Sequence, residues 1–416
     1  MALLGSLSRD FSSVKAPRIR WFFIGLAFAA TVVNYLDRQT LSVVEPVLRE
    51  KLHFGDIAYS RIVFAFMLAY TISNGISGPF IDRLGTRLGY ALSMFWWSTA
   101  SVLHVFARSA WGLGACRFLL GMGEAGNWPA AVKVVSEWFP AGERAFACGL
   151  FNSGSSIGAI AAPPLVAWIV LKFGWPPAFL VTGFTGFIWL AVWLGTYSSP
   201  RATQPLKEPP PSAWSLLRQR FVWSLTLGKI FFDPVWYFYI FWFPQYLASA
   251  RHFDLKHIGF YAWIPFLSAD LGNLAGGGFS AVLLRRGVPL VAARQTAIWV
   301  FCGLMMSAIP AVLAPDARWS IAFVSLATLG YTGALANMLA LPGDFYPANA
   351  VGSIWGLASM GAGFGGMLFT LITGELVARF SYTPVFIGFG LLPLIAAAII
   401  GWVTCAARPE TVLIKY

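Results

Sequence analysis

"EWFPAGERAFACGLFNSGSSIGAI", residues 137–160, aligns without gaps on "DFYPANAVGSIWGLASMGAGFGGM", residues 344–367, at an offset of 207. Pro140 falls on Pro347, Ala141 on Ala348, Gly149 on Gly356, Leu150 on Leu357, Gly154 on Gly361 and Gly158 on Gly365. A repeat spaced by half the chain means a duplicated unit, and both copies lie in apolar surroundings. Small residues let transmembrane helices approach closely, which is the first reason for each glycine. The same flat surface, packed on a helix of the other half, also permits rocking.

The 416 residues are 58% hydrophobic and 11% charged. A soluble domain carries about 25% charged residues, so this chain has too little polar surface to cover itself in water. Runs such as "WFFIGLAFAATVVNYL" and "LLPLIAAAIIGWV" reach or approach the roughly 20 residues that cross a bilayer as helix. About twelve such spans are expected, centred near Ala29, Ala69, Ser98, Met122, Ser156, Ile188, Tyr237, Ala269, Met305, Gly330, Gly365 and Ala397. The fold class is therefore an all-α membrane protein with two six-helix pseudo-repeats.

The expected organisation is an N-terminal segment (1–20), a first bundle (21–196), a linker (197–220), a second bundle (221–406) and a tail (407–416). The linker is read from "YSSPRATQPLKEPPPSAWSLLRQR", whose Pro, Ser and basic residues suit an extended connection. An even number of spans puts both termini on one side. Arg18, Arg20, Arg83, Arg87, Arg144, Arg201, Arg218, Arg220, Arg285, Arg286 and Arg408 gather there, so that side is expected to be cytoplasmic, in an inner membrane.

Basic loops beside anionic headgroups account for the net charge of +12, with no nucleic-acid partner. The first apolar run is long and ends in charges, unlike a cleavable signal peptide. Cys116, Cys148, Cys302 and Cys405 lack metal spacing and read as packing residues. His53, His104, His252 and His257 show no ligand pattern, so no metal or cofactor is expected. No G-x-x-x-x-G-K-[ST] pattern points to ATP.

Charges inside the spans are the informative exceptions. "VVNYLDRQTLSVV", residues 32–44, sets Asp37 beside Arg38. A charge near the bilayer centre costs about 2.5–3.5 kcal/mol on insertion scales and persists where it is paired, wet or used. Arg117 and Glu124, in "ACRFLLGMGEAGNWPA", are seven residues apart and so share a helix face about 10 Å apart. Each then needs a partner elsewhere: Asp37 for Arg117, and Arg38 for Glu124. Asp37 and Arg38 differ by about 100° around a helix, so one can face a central cavity while the other meets span four or five. Two charges of each sign form a neutral set, either a structural cluster fixing helix register or a path for substrate and protons.

After span two, "GPFIDRLGTRLG" contains Gly78, Asp82, Arg83, Gly85 and Arg87. It resembles the G-x-x-x-D-R-x-G-x-R loop signature of the major facilitator superfamily. The corresponding loop after span eight, "GGGFSAVLLRRGVP", keeps Gly278, Arg285 and Arg286 and has lost the acid. The resemblance implies that Asp82 braces neighbouring helix ends, with Arg144 as its expected partner.

"NYLDR", "RFLLGMGEAGNWPA", the segment from Ser136 to Val166, "DPVWYFYIFWFPQYL" and "IPFLSADLGNLAGG" together resemble the anion:cation symporter family, close to its hexuronate and sugar-acid permeases. This implies uptake of an organic anion with protons by alternating access, by a monomer without a cofactor. It makes Asp37 and Glu124 the proton-coupling carboxylates and offers Arg38 or Arg117 to the substrate carboxylate. Tyr70 matches a site tyrosine of the family, and Asn127 lies in the matching span-four motif.

In span seven, Trp236, Tyr237, Tyr239 and Trp242 are candidates to stack on a sugar ring or simply to pack. Asp233, before Pro234, reads as a cap. Asp270, Asn273 and Asn337 are the polar groups the second half offers, with Asp270 equally suited to a structural bond. Two rivals remain: an organic anion/phosphate exchanger, weakened because span seven has no Arg and Lys229 is read near its cytoplasmic end, and a ligand-sensing receptor, which would need a signalling domain.

Overall fold

A computed structural model describes residues 18–198, 211, 213–253, 261 and 263–406. The expected segment up to residue 17, most of the linker, the tail from residue 407 and His257 lie outside the described residues. The first half comprises α1 (Ile19–Leu52), α2 (Asp56–Leu84), α3 (Thr86–Leu103), α4 (Ala110–Glu124), α5 (Asn127–Trp138), α6 (Ala141–Asn152), α7 (Gly154–Phe173) and α8 (Pro176–Thr196). After the short α9 (Ala213–Leu217) come α10 (Arg220–Phe232), α11 (Pro234–Phe241), α12 (Phe243–Ser249), α13 (Ile264–Arg285), α14 (Leu290–Met305), α15 (Ala308–Leu313), α16 (Ala317–Phe345), α17 (Ala348–Arg379) and α18 (Thr383–Ala406).

Among the described residues these helices make twelve spans, because α4 continues into α5, α6 into α7, α10 through α11 into α12, and α14 into α15. Among the described residues, eight stretches are long and apolar enough to cross a membrane on length and composition. The other four spans are α3, the broken and charged α4–α5, the three-piece α10–α12, and α13. Pro234, lacking an N–H, opens α11 and marks one of the breaks in span seven.

The polarity of the bundle is that of a membrane protein. Trp111 and Leu171 are 89% and 86% exposed, whereas Asp37, Glu124 and Arg294 are 1% exposed or less. In lipid the apolar exterior costs nothing, and the interior has to satisfy the charges.

Two seams join the halves, α2 against α17 and α6 against α13. They obey the repeat. A Cβ on Gly149 would stand 2.1 Å from the Asn273 carbonyl oxygen, and one on Gly356 would stand 2.3 Å from that of Asn74. Likewise a Cβ on Gly78 would meet Ser353, and one on Gly277 would meet Phe146; Phe146 and Ser353 again differ by 207. The packing counterpart of Gly78 is thus Gly277, and not Gly278, whose Cβ would meet nothing within 4 Å.

Overpacking costs about 1–3 kcal/mol, or about 5- to 150-fold in an equilibrium. Gly149→Val and Gly356→Val are therefore expected to cut uptake into membrane vesicles by about tenfold at normal protein levels. Gly303→Val, where a Cβ meets nothing within 4 Å, should leave uptake unchanged.

Candidate functional site

Span four is pressed onto its neighbours by glycines: a Cβ on Gly121 would lie 2.6 Å from the Phe66 carbonyl oxygen, and one on Gly123 would lie 2.7 Å from the Trp97 nitrogen. This close approach brings Glu124 to span one. Arg38 donates to Glu124 Oε2 through Nε (3.1 Å) and Nη2 (2.9 Å). The guanidinium also stands 4.7 Å from the centre of the Tyr70 ring and 5.1 Å from those of Tyr35 and Phe66. Such faces attract a cation while leaving its edges free.

Arg117 approaches the same turn of α1 differently. Its Nη1 donates to the Arg38 carbonyl at 3.3 Å and lies 3.5 Å from that of Asp37, while Nε and Nη2 are buried with no acceptor among the described residues. Asp37 turns away towards spans three and six: Oδ1 accepts from Ser101 Oγ at 2.6 Å, and that hydroxyl is 3.4 Å from Thr182 Oγ1.

Arg38, Arg117 and Tyr70 line a cavity of about 390 Å³ between the halves, within the range of small-molecule sites. The second half contributes Lys229, Asp233, Trp236, Tyr237 and Tyr331. Lys229 Nζ is 2.7 Å from Asp233 Oδ2, an ion contact, and 4.7 Å from the centre of the Trp355 ring. Tyr331 Oη donates to Asp233 Oδ1 at 2.6 Å, and Trp236 stacks on the Tyr331 ring with centroids 5.2 Å apart.

Towards the end carrying both described termini, polar ties cross from one half to the other. Asp82 Oδ1 meets Lys133 Nζ at 2.8 Å, and its Oδ2 accepts from the backbone N–H and hydroxyl of Ser353, both at 2.6 Å. Arg144 pairs with Asp344 at 3.1 Å and also donates to the Gly343 carbonyl. Arg294 holds the other Asp344 oxygen at 2.9 Å and donates to the Ala141 carbonyl at 2.5 Å. Gly85, with φ +80°, lets the chain turn from α2 into α3 at a backbone angle costly for other residues. Arg87 donates to the Leu194 carbonyl at 2.6 Å, and Arg83 is exposed.

The family model described as "Major Facilitator Superfamily" matches residues 27–359. The chain belongs to the Major Facilitator Superfamily. Within it, the chain is 32% identical to the hexuronate transporter of Escherichia coli strain K12, covering 95% of this chain and 96% of that one. It is 38% identical to the galacturonate transporter of Dickeya chrysanthemi over 63% of this chain and 82% of that one. Among solved structures, the human organic anion transporter MFSD10 superposes with a TM-score of 0.75 at 14% identity, covering 92% of this chain and all of that one. The Escherichia coli fucose:proton symporter FucP gives 0.71 at 14% identity over 94% of this chain and all of that one. These two show the fold. As a member of this superfamily the chain is a transporter and not an enzyme.

The cavity of this superfamily member brings together Arg38, Tyr70, Arg117, Trp236 and Tyr237. Four expectations need correction. Asn127 is fully buried, donating to Thr31 Oγ1 and accepting from Tyr90, and does not line the cavity. Asn337 is equally buried, its amide donating to the Gly276 and Gly333 carbonyls, where it ties span ten to span eight. Asp82 pairs with Lys133, because Arg144 reaches across to Asp344 instead. The expected partner of Arg117 is met only through a backbone carbonyl, since the Asp37 side chain points the other way. Asp270 lies half-buried beside Ser156 of span five, and among the described residues neither carboxylate oxygen accepts a well-formed hydrogen bond.

Lys229, read as lying near a span end, and Asp233, read as a cap, both line the cavity. Asn152, Ser155, Ser359 and Ala362 line it as well. The repeat carried the signal for them, since Asn152 and Ser359, and Ser155 and Ala362, are pairs at the same offset of 207.

Asp82 accepts bonds from both halves, so Asp82→Asn should weaken closure of this end. Loss of a buried charged pair's member costs about 3–5 kcal/mol. The expected outcome is a more than tenfold fall in uptake and a rise in thiol labelling of a cysteine placed at Gly343. Unchanged labelling with unchanged uptake would contradict the brace.

Proposed function

We propose that this transporter imports a sugar-acid monoanion, foremost a hexuronate, together with a proton by alternating access. The observation that carries the reading is the Arg38–Glu124 pair at the cavity wall. Arg38 is the partly exposed member and Glu124 is wholly buried. A proton placed on Glu124 releases Arg38 to hold a substrate carboxylate, so anion and proton enter together. Tyr70 and Tyr35 keep the guanidinium in place during the exchange, and Arg117, bonded to the backbone of the same turn, positions it. Trp236 and Tyr237 offer faces and a hydroxyl to the sugar ring.

Charge counting supports coupling. Arg38, Arg117 and Lys229 balance Asp37, Glu124 and Asp233 when all are ionised and His104 is neutral, so a bound monoanion leaves the set one negative charge in excess. One proton restores neutrality, and an excess charge in a low-dielectric interior is costly. Asp37, behind the wall and bonded to Ser101, is the second carboxylate able to take that proton. The names of the relatives, transporters of hexuronate and galacturonate, supply the substrate class.

The end bearing the termini is taken as cytoplasmic from its arginines. Its closure by Asp82, Arg144 and Arg294, with the cavity reaching Ser42 and Val63 towards the opposite end, supports reading this arrangement as outward-facing. Exchange of an organic anion against phosphate is the second reading, favoured by one observation: Lys229 gives the cavity a cation from the second half.

Uptake of labelled hexuronates and aldonates into proteoliposomes, with and without a pH gradient, tests the reading. Accumulation of a hexuronate only with an inward proton gradient is expected; accumulation driven by internal phosphate instead would favour exchange. Glu124→Gln, permanently uncharged, should lose gradient-driven accumulation and keep substrate counterflow.

A further inference from the structure

The exchange between Glu124 and substrate at Arg38 gives no task to the ion contact in the other half of the cavity. Lys229 and Asp233 have side chains only 5% and 7% exposed, yet both face the cavity. Asp233 is fixed from two sides, by Lys229 at 2.7 Å and by the Tyr331 hydroxyl at 2.6 Å. Tyr331 is in turn stacked between Phe232 and Trp236, with centroids 4.6 and 5.2 Å away. A carboxylate held this firmly cannot swing aside to make room for another. Lys229 is likewise pinned over the Trp355 ring, and among the described residues it is the one cation the second half gives to this cavity.

We infer that the Lys229–Asp233 pair is a specificity determinant that accepts the hydroxyl-bearing end of a sugar monoacid and rejects a second carboxylate, so that the transporter discriminates against diacids. The inference rests on the proposed placement of the substrate carboxylate at Arg38. With that end fixed on span one, the far end of the molecule points to span seven. A sugar hydroxyl can donate to Asp233 and accept from Lys229 at once, as neutral polar groups do beside an ion pair. A carboxylate in the same place meets Asp233 as a like charge, and the adjacent cation is already neutralised. Specificity then comes from a repulsive element as much as from an attractive one. Asp233→Asn removes that repulsion and leaves Lys229 uncompensated, which favours a second carboxylate.

The test compares galacturonate with galactarate, its diacid counterpart, in binding competition on purified protein and in proteoliposome uptake. Wild-type protein is expected to favour galacturonate by about tenfold or more, and Asp233→Asn to move the ratio towards galactarate by about tenfold. Asp233→Glu, which keeps the charge, should keep the preference for the monoacid. Equal binding of both acids by wild type, or an unchanged ratio in Asp233→Asn, would overturn the inference. So would parallel loss of both ligands in the Asn and Glu variants at wild-type melting temperature, which makes the pair purely structural. Wild-type protein that binds neither acid would instead refute the sugar-acid reading on which the inference rests.

Discussion

Charges buried inside a bilayer have to be neutralised by one another, and the contact of Arg38 with Glu124 is where that constraint governs this molecule. Span four can deliver Glu124 to span one only because Gly121 and Gly123 let it sink against spans two and three. Arg117 fastens the same turn of span one through its backbone carbonyls, and aromatic faces surround the guanidinium. The result is a cation held near its partner but open to the cavity on one side. Breaking such a buried pair by removing one member leaves an uncompensated charge. Protonating Glu124 likewise leaves the Arg38 cation unpaired, and in the proposed mechanism the substrate carboxylate is what takes the place of the lost negative charge.

The second constraint is symmetry. Duplicated glycines bring α6 onto α13 and α17 onto α2 so closely that no side chain fits between the backbones. Asn152 Nδ2 donates to Asn273 Oδ1 across the α6–α13 seam at 3.0 Å, and the charged ties gather at one end, where Asp82 grips the start of α17 and Asp344 receives Arg144 and Arg294. Closing bonds concentrated at one end leave the cavity to extend towards the other. The same repeat places paired residues, Asn152 with Ser359 and Ser155 with Ala362, on the cavity wall.

Most of the fold was legible in the sequence, because span number and the repeat depend on composition and spacing alone. The Arg38–Glu124 pair was legible too, since helix periodicity limits which charges on adjacent spans can meet. Rotation about each helix axis was not. Asp37 faces Ser101 on span three, and the amides of Asn127 and Asn337 are consumed by neighbouring helices, none of which local spacing determines. Lys133 and Arg144 flank one short turn, so either was within reach of Asp82, and only the position of Asp344 in the other half divides them. Lys229 and Asp233 form an ordinary i,i+4 pair, and their place in the cavity follows from the interruption of span seven at Pro234.

The central claim is that the ionisable groups around the cavity are neutral together, so that a monoanion enters only with its compensating proton. Simultaneous recording of pH and current on proteoliposomes, when galacturonate is added outside, tests this most directly. The account predicts alkalinisation of the external medium equivalent to about one proton per anion, with no net current. Inward movement of negative charge without any change in external pH would contradict it.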